Sequence, residues 1–348
     1  MAKKYIYKTA TLRLPNGKRK YVRGKTKEEL ERKLSELKQE LFLGVDVGDT
    51  TLFKDYADHW LKTTRETCVT PNTARMYRQV FSNHIYPVIG DMKIRDIKPT
   101  HIRGIMARIS ELGHGTQSRV LGLLTGVFNT AVDDNLILRS PVPLTMKAKG
   151  DATEESDPLT SEQEQALLAA AEGTMAYPFV FTILHTGMRK GEVMGLMWAD
   201  VDFDEGVIHV RRHVVPDESG APMLVSGAKT EAGVRDIPMP DALAAYLRGL
   251  QRTARSVYVF PNSKGKLYSS SALSSLWVTL DNRAGFHTHP HQLRHTYATK
   301  LFEQGLDVRQ VQYVLGHADV NITLRIYVHY RESERRESTI QQVRAAFC

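Results

Sequence analysis

Cysteine is nearly absent: Cys68 and Cys348 are the only two in 348 residues. So far apart, they give no disulfide framework, which excludes a small secreted scaffold held by bridges and points to a reducing compartment. Long apolar runs are missing too. A run such as "FVFTIL" at 179–184 falls far short of the ~20 residues that cross a bilayer. The opening "MAKKYIYKTA" lacks the apolar core of a signal peptide. A cytoplasmic protein without membrane attachment is therefore expected. No internal repeat and no low-complexity tract is present, which argues against solenoids and disordered arrays.

Acidic residues are also missing where the chain begins. Before Glu28 there are none, against ten basic ones. Residues 1–48 carry 13 Lys and Arg against 6 Asp and Glu, and residues 49–150 carry 14 against 9. Residues 151–348 reverse the balance, 20 against 24, so the net charge of +8 arises entirely in the N-terminal part. A one-signed run of this length suits a polyanion, and nucleic acid is the natural one.

With 42% hydrophobic residues, a chain of 348 has material for two or three domains. In the first, residues 1–48, "YIYKTATLRLP" and "KRKYVRG" flank Asn16 and Gly17 and read as a hairpin with a tight turn. Thr26 and Glu29 then form a capping box for a helix with Leu30, Leu34, Leu37 and Leu41 along one face. That is a small β-sheet on a helix, its strands carrying Arg13, Lys18, Lys20 and Arg23, able to lie against DNA as a β-ribbon does. Residues 50–145 read as all-helical, punctuated by Pro71, Gly90, Pro99 and the glycines at 113 and 115. A polar linker, "TMKAKGDATEESDP", leads into a third domain, 156–348, of α+β class and mostly helical. In it Gly187 interrupts two apolar helices, and "GVIHVRRHVV", "PMLVSG" and "RDIPMP" read as a β-meander.

The densest chemistry lies in "HTHPHQLRHTYAT", residues 287–299, with four histidines and an arginine in nine positions. Pro290 fits the first turn of a helix with Thr288 or His289 as cap, and His291, Arg294 and His295 then share a face. A zinc-protease pair would need a carboxylate where Gln292 stands, and a permanently charged Arg294 sits one turn from any dication. A guanidinium beside an imidazole suits an anion, and a phosphate best.

Other phosphate-handling residues occur in the same segment. Arg189 opens a helix just after Gly187, Lys229 lies in the turn "SGAKTEAGVR", His317 follows a helix-ending Gly316, and Tyr327 comes ten residues later. In this order, Arg189, Lys229, His291, Arg294, His317 and Tyr327, with the motifs "TGMRKGE", "AKT", "HQLRH", "LGH" and "TLRIYVH", resemble the catalytic set of the tyrosine recombinases, the phage and mobile-element integrases. The resemblance covers the segment from about residue 156 and, more loosely, the helical segment through "NHIYPVIGDMKIRDIKPTHI". Residues 1–48 look like the arm-site DNA-binding domain of lambda-like phage and conjugative-transposon integrases.

The resemblance implies site-specific cutting and rejoining of double-stranded DNA at core and arm attachment sites through a 3′-phosphotyrosyl intermediate, integrating and excising a mobile element or prophage. It further implies a homotetramer in the synaptic complex, an excisionase, a DNA-bending host factor and association with the nucleoid. The inventory fits that chemistry. Two arginines grip the non-bridging oxygens of the phosphate, His291 assists the Tyr327 phenol as base, Lys229 protonates the departing 5′ oxygen and His317 hydrogen-bonds the phosphate. No cofactor and no metal is then needed. The family spacing, four residues after Thr323 and two before His329, selects Tyr327 over Tyr330. Glu192 is expected to support Arg189, and His295 to serve packing or to support the catalytic side chains from behind. Two other functions compete: a type IB topoisomerase that only relaxes DNA, against which the arm-like domain argues, and a catalytically idle DNA-binding regulator, against which the complete set of six argues.

Overall fold

The alternating stretch that opens the chain pairs as a hairpin. Strand β1 (Lys8–Arg13) runs antiparallel to β2 (Arg19–Gly24), with Thr9 opposite Arg23, Thr11 opposite Tyr21 and Arg13 opposite Arg19. The turn closes through Leu14 N–H to the Lys18 carbonyl, 2.8 Å, and Gly17 takes φ +81°, which favours glycine. Helix α1 (Lys27–Phe42) follows. Thr26 Oγ1 accepts from Glu29 N–H at 3.1 Å, and the Glu29 carboxylate reaches back to Lys25 N–H at 2.8 Å, so the expected capping box closes one residue early. Leu37 and Leu14 form its small core, flanked by Leu12, Val22 and Leu41.

The computed structural model describes residues 7–14, 17–42, 44, 50–150, 157–217, 219–227 and 233–346, with the side chains of 333–339, 341, 345 and 346 left aside. The chain divides into two units, Met1–Glu154 and Glu155–Cys348. Besides hairpin and α1, the first unit holds α2 (Phe53–Trp60), α3 (Pro71–Val80), α4 (Tyr86–Ile89), α5 (Pro99–Arg108) and α6 (His114–Asp133). Phe53, Phe81 and Phe128 fill its larger core, and Trp60 Nε1–H donates to Thr130 Oγ1 at 2.9 Å across it. An Arg95–Glu40 ion pair of 2.8 Å joins this helical part to α1.

The second unit begins with α7 (Ser161–Ala171), α8 (Tyr177–Thr186) and the short α9 (Lys190–Met194). Strands β3 (Val201–Asp202), β4 (Val207–Val210), β5 (Arg212–Pro216), β6 (Pro222–Ser226) and β7 (Arg235–Pro238) follow. They do not form the expected single meander. The order is β3-β4-β7 in one sheet, with β5-β6 a separate ribbon. The stretch read as one strand breaks at exposed Arg211. Strand β7 returns to β4 because Ile237 and Ile208, both fully buried, face each other across that pair. The β5 ribbon lies close on α9, where a Cβ on Gly191 would come within 2.8 Å of the Val214 carbonyl oxygen.

Helices α10 (Asp241–Gln251), α11 (Ser270–Ala284), α12 (Pro290–Glu303), α13 (Val308–Leu315) and α14 (Val320–Ala346) complete the unit. The residues after Tyr330 continue α14. No glycine or proline interrupts residues 320–346, so nothing ends the helix. Among the described residues no helix is long and apolar enough to cross a membrane.

Candidate active site

Helix α12 starts where the histidine-rich motif predicts. His289 is its N-cap, accepting Gln292 N–H on Nδ1 at 3.1 Å, and Pro290 occupies the first turn. The preceding residues are tied to α11. Asp281 accepts Thr288 N–H and the Thr288 hydroxyl, each at 3.0 Å, and pairs with His287 at 2.6 Å, while Trp277 Nε1–H donates to Thr288 Oγ1 at 3.2 Å. This anchorage directs buried Arg294 inward and leaves His291 exposed at the helix start.

Three arginines meet at the C-terminus of α13. Its last carbonyls have no helical partner, and there the helix dipole favours cations. Arg235 Nε–H donates to the Val314 carbonyl at 2.6 Å, Arg294 Nη2–H to that of Leu315 at 2.7 Å, and Arg189 Nη2–H to that of Gly316 at 2.7 Å. Arg294 Nη1–H also reaches the carbonyl of Gly187 at 2.6 Å. Gly187 adopts φ +61°, and a Cβ there would lie 2.4 Å from the Tyr297 ring, which accounts for glycine in "TGMR". Glu192, nearly buried, binds two of the guanidiniums. It takes Arg189 N–H at 2.9 Å and Nη1–H at 2.8 Å, and Arg235 through two bonds of 3.2 and 2.9 Å. Sequence reasoning expects Glu192 beneath Arg189 but misses Arg235. The signal was present in "RDIP": Arg235 shares the inward parity of Ile237, an unusual place for a charge.

These contacts set the electrostatics. Burial alone would raise the Glu192 carboxyl, but Arg235 and then Arg189 outweigh it and hold it down to about 2. Burial, then Arg189, lowers Arg294 to about 9, which leaves it cationic at neutral pH. His317 is buried, and desolvation followed by Arg294 and Arg189 lowers it to about 3, so its ring is neutral. Its Nδ1 lies 2.8 Å from Thr323 Oγ1. Three guanidiniums thus share one carboxylate's neighbourhood, two of them bonded to it, an excess of positive charge that an anion would relieve. Beside them His291, Arg294 and His317 line one pocket with His289, His295 and Ile326. Among the described residues no three His, Cys, Asp or Glu side chains are placed to hold a metal ion.

Tyr327 does not line this pocket. Its half-buried ring meets Phe302 edge-on at 5.2 Å, and Tyr330 stacks on the same ring at 6.3 Å. Two residues beyond Tyr327, His329 pairs with Asp157 at 3.0 Å. Lys229 lies outside the described residues.

Residues 158–334 match the model of the phage integrase family, and residues 52–109 match its N-terminal SAM-like domain. A tyrosine recombinase XerC-like protein of Caldanaerobacter subterraneus subsp. tengcongensis is 31% identical over 94% of this chain and 93% of its own. The chain belongs to the phage integrase family. It is a tyrosine-type site-specific recombinase and binds DNA. The transposase from transposon Tn916 of Enterococcus faecalis is 28% identical over 92% of this chain and 83% of its own. The fold agrees with that of the Tn1549 transposon integrase in complex with a circular intermediate DNA, at a TM-score of 0.69 and 22% identity over 81% of this chain and 98% of that one. It also agrees with a lambda integrase tetramer bound to a Holliday junction, at a TM-score of 0.61 and 17% identity over 91% of each chain.

The hairpin of this integrase presents a second basic surface. One face packs Leu12 and Val22 toward α1, and the other exposes Thr9, Thr11, Arg13, Arg19, Tyr21 and Arg23. Lys20, expected among the DNA-facing residues, has the opposite parity. Its ammonium is lowered first by burial and then by Arg95. Arg19 and Tyr21 take its place on the outer face.

Proposed function

We propose that Arg189, Lys229, His291, Arg294, His317 and Tyr327 form the catalytic set. The observation that carries this reading is the cluster at the end of α13, where three guanidiniums and one carboxylate adjoin a pocket shared by His291, Arg294 and His317. The scissile phosphate sits there, its non-bridging oxygens on Arg189 and Arg294, which offset the charge gathering in the five-coordinate transition state. Tyr327 Oη attacks phosphorus and the bond to O5′ breaks. The phenolic proton passes to His291, and Lys229 gives a proton to O5′. The product is a 3′-phosphotyrosyl bond plus a free 5′ hydroxyl, and attack by the partner strand's 5′ hydroxyl reverses the step without ATP. Neutral His317 takes the tautomer with its one proton on Nε2, donating to the phosphate, and in that tautomer Nδ1 accepts Thr323 Oγ1–H.

The chain works as three parts: an arm-site domain (1–48), a helical core-site domain (50–145) and a catalytic domain (156–348). Four copies assemble on paired core sites to integrate and excise a mobile element or prophage, with an excisionase and a DNA-bending host factor, at the nucleoid in the cytoplasm. Likeness to a lambda integrase tetramer on a Holliday junction supports the assembly. A supercoiled plasmid carrying two attachment sites tests the whole. Recombinant circles are expected. Relaxed topoisomers without recombinants would mark a topoisomerase, and an unchanged plasmid a regulator that only binds.

A further inference from the structure

Arg235 belongs to no motif of the catalytic set, yet its side chain is only 1% exposed, against 43% for Arg189. It makes a two-bond grip on Glu192, 3.2 and 2.9 Å, and donates to the carbonyls of Val314 at 2.6 Å and Gly233 at 3.2 Å. Glu192 in turn holds both the backbone N–H and the guanidinium of Arg189. The Val314 carbonyl stands next to those of Leu315 and Gly316, which take Arg294 and Arg189. Arg235 therefore touches both supports on which the phosphate-facing arginines rest: the carboxylate under Arg189 and the carbonyl row of α13. A charge so enclosed would otherwise be costly to fold. At 1% exposure its side chain offers no surface to a phosphate, whereas Arg189, also outside the pocket lining, keeps 43% of its side chain exposed.

We propose that Arg235 is a positioning residue, which locks Glu192 and the α13 terminus together so that Arg189 and Arg294 meet the scissile phosphate already oriented. This rests on the catalytic reading of Arg189 and Arg294. A planar fork satisfies the carboxylate and the carbonyl at once, whereas a lysine keeps the charge and loses the second bond. Around Glu192 the charged groups are Arg189 from its own turn, Arg235 from β7 and Arg294 from α12, while His317 and Tyr297 face those arginines. Only Arg235 and Arg189 bond to it among the described residues.

The test compares full-length Arg235→Lys, Arg235→Gln, Glu192→Gln and Arg189→Ala. Each is assayed for covalent adduct formation at saturating nicked core-site DNA, for core-site affinity and for thermal unfolding. Arg235→Lys should unfold as the parent does and bind DNA equally well, but form adduct about tenfold more slowly, a loss of orientation rather than of binding. Combined with Glu192→Gln it should add little, because both act through one contact. Arg235→Gln removes the charge that holds Glu192 ionised, so its rate should fall toward acid pH, a dependence that Arg235→Lys lacks. Full additivity of the Lys and Gln substitutions, or loss of the Arg235→Lys unfolding transition, would overturn the proposal and make Arg235 a folding residue. Should Arg189→Ala form adduct normally, the catalytic reading itself fails and the proposal with it. A dead Arg189→Ala beside a fully active Arg235→Lys sinks the positioning role alone.

Discussion

Two arginine clusters in this integrase treat water in opposite ways. Arg189, Arg235 and Arg294 are held by the carbonyls at the end of α13 and by Glu192, and two of the three are almost wholly enclosed. Arg13, Arg19 and Arg23 stand exposed on the outer face of the hairpin. Enclosure fixes direction and strengthens every charge interaction, which a transition state needs. Exposure leaves the charges screened and mobile, which suits long-range attraction to a phosphate backbone and makes it salt-dependent. In the proposed function one residue type serves chemistry in one unit and affinity in the other, and fixed carbonyl and carboxylate partners make the difference, since Arg189 itself keeps 43% of its side chain exposed.

The sharpest break in that contrast comes from Arg294→Lys. A single ammonium cannot reach the carbonyls of Gly187 and Leu315 and also grip a phosphate, so adduct formation should fall about 10²–10³-fold with core-site binding kept. Parallel losses in rate and affinity would place Arg294 among the binding residues instead. Next in size is Glu192→Ala, which leaves Arg235 buried opposite no carboxylate. The catalytic unit should lose ~3–5 kcal/mol in denaturant unfolding, and a loss below ~1 kcal/mol would mean that water reaches Arg235.

His317 gives a smaller and pH-dependent effect. Its folded value lies near 3, below the ordinary histidine value near 6.5. Between those values the unfolded chain binds a proton that the folded one does not, so stability falls as pH drops from about 6.5. His317→Gln should flatten that slope, measured as unfolding midpoints from pH 7 to 4. An unchanged slope would show that other groups cause it. The outer cluster gives the smallest effect. Replacing Arg13, Arg19 and Arg23 by alanine should lower the slope of log affinity against log salt by at most about 3 at an arm-type site, with cleavage of core DNA intact. Equal weakening at core sites would make the hairpin a general anchor and not a separate reader.

What could be read in the sequence was local. Thr26 with Glu29, Pro290 after His289 and the leucines of α1 each announce their element within a few residues. The pairing of β7 with β4 was not readable, because it depends on Ile237 finding Ile208 across an intervening ribbon. Nor was the carbonyl row of α13: Arg235 lies 79 positions from Val314 and Arg189 lies 127 from Gly316, distances over which no periodicity speaks. Strand parity would have turned Lys20 inward and flagged Arg235, since each alternates with neighbours of known facing. His291, Arg294 and His317, picked by motif alone, line one pocket, and Arg189 stands outside its lining, on the carbonyl next to the one that holds Arg294, whereas Tyr327 packs on Phe302 away from that pocket.

That last placement makes the nucleophile the point on which the account turns. Tyr327 and Tyr330 both rest on Phe302, so the identity of the attacking oxygen is decided by chemistry. The direct measurement traps the covalent complex on nicked core-site DNA and identifies the modified tyrosine by peptide mass, for the parent protein, Tyr327→Phe and Tyr330→Phe. The account predicts a 3′-phosphate adduct on Tyr327, normal DNA binding but no adduct from Tyr327→Phe, and an adduct from Tyr330→Phe. An adduct on Tyr330, or one that survives Tyr327→Phe, would contradict it.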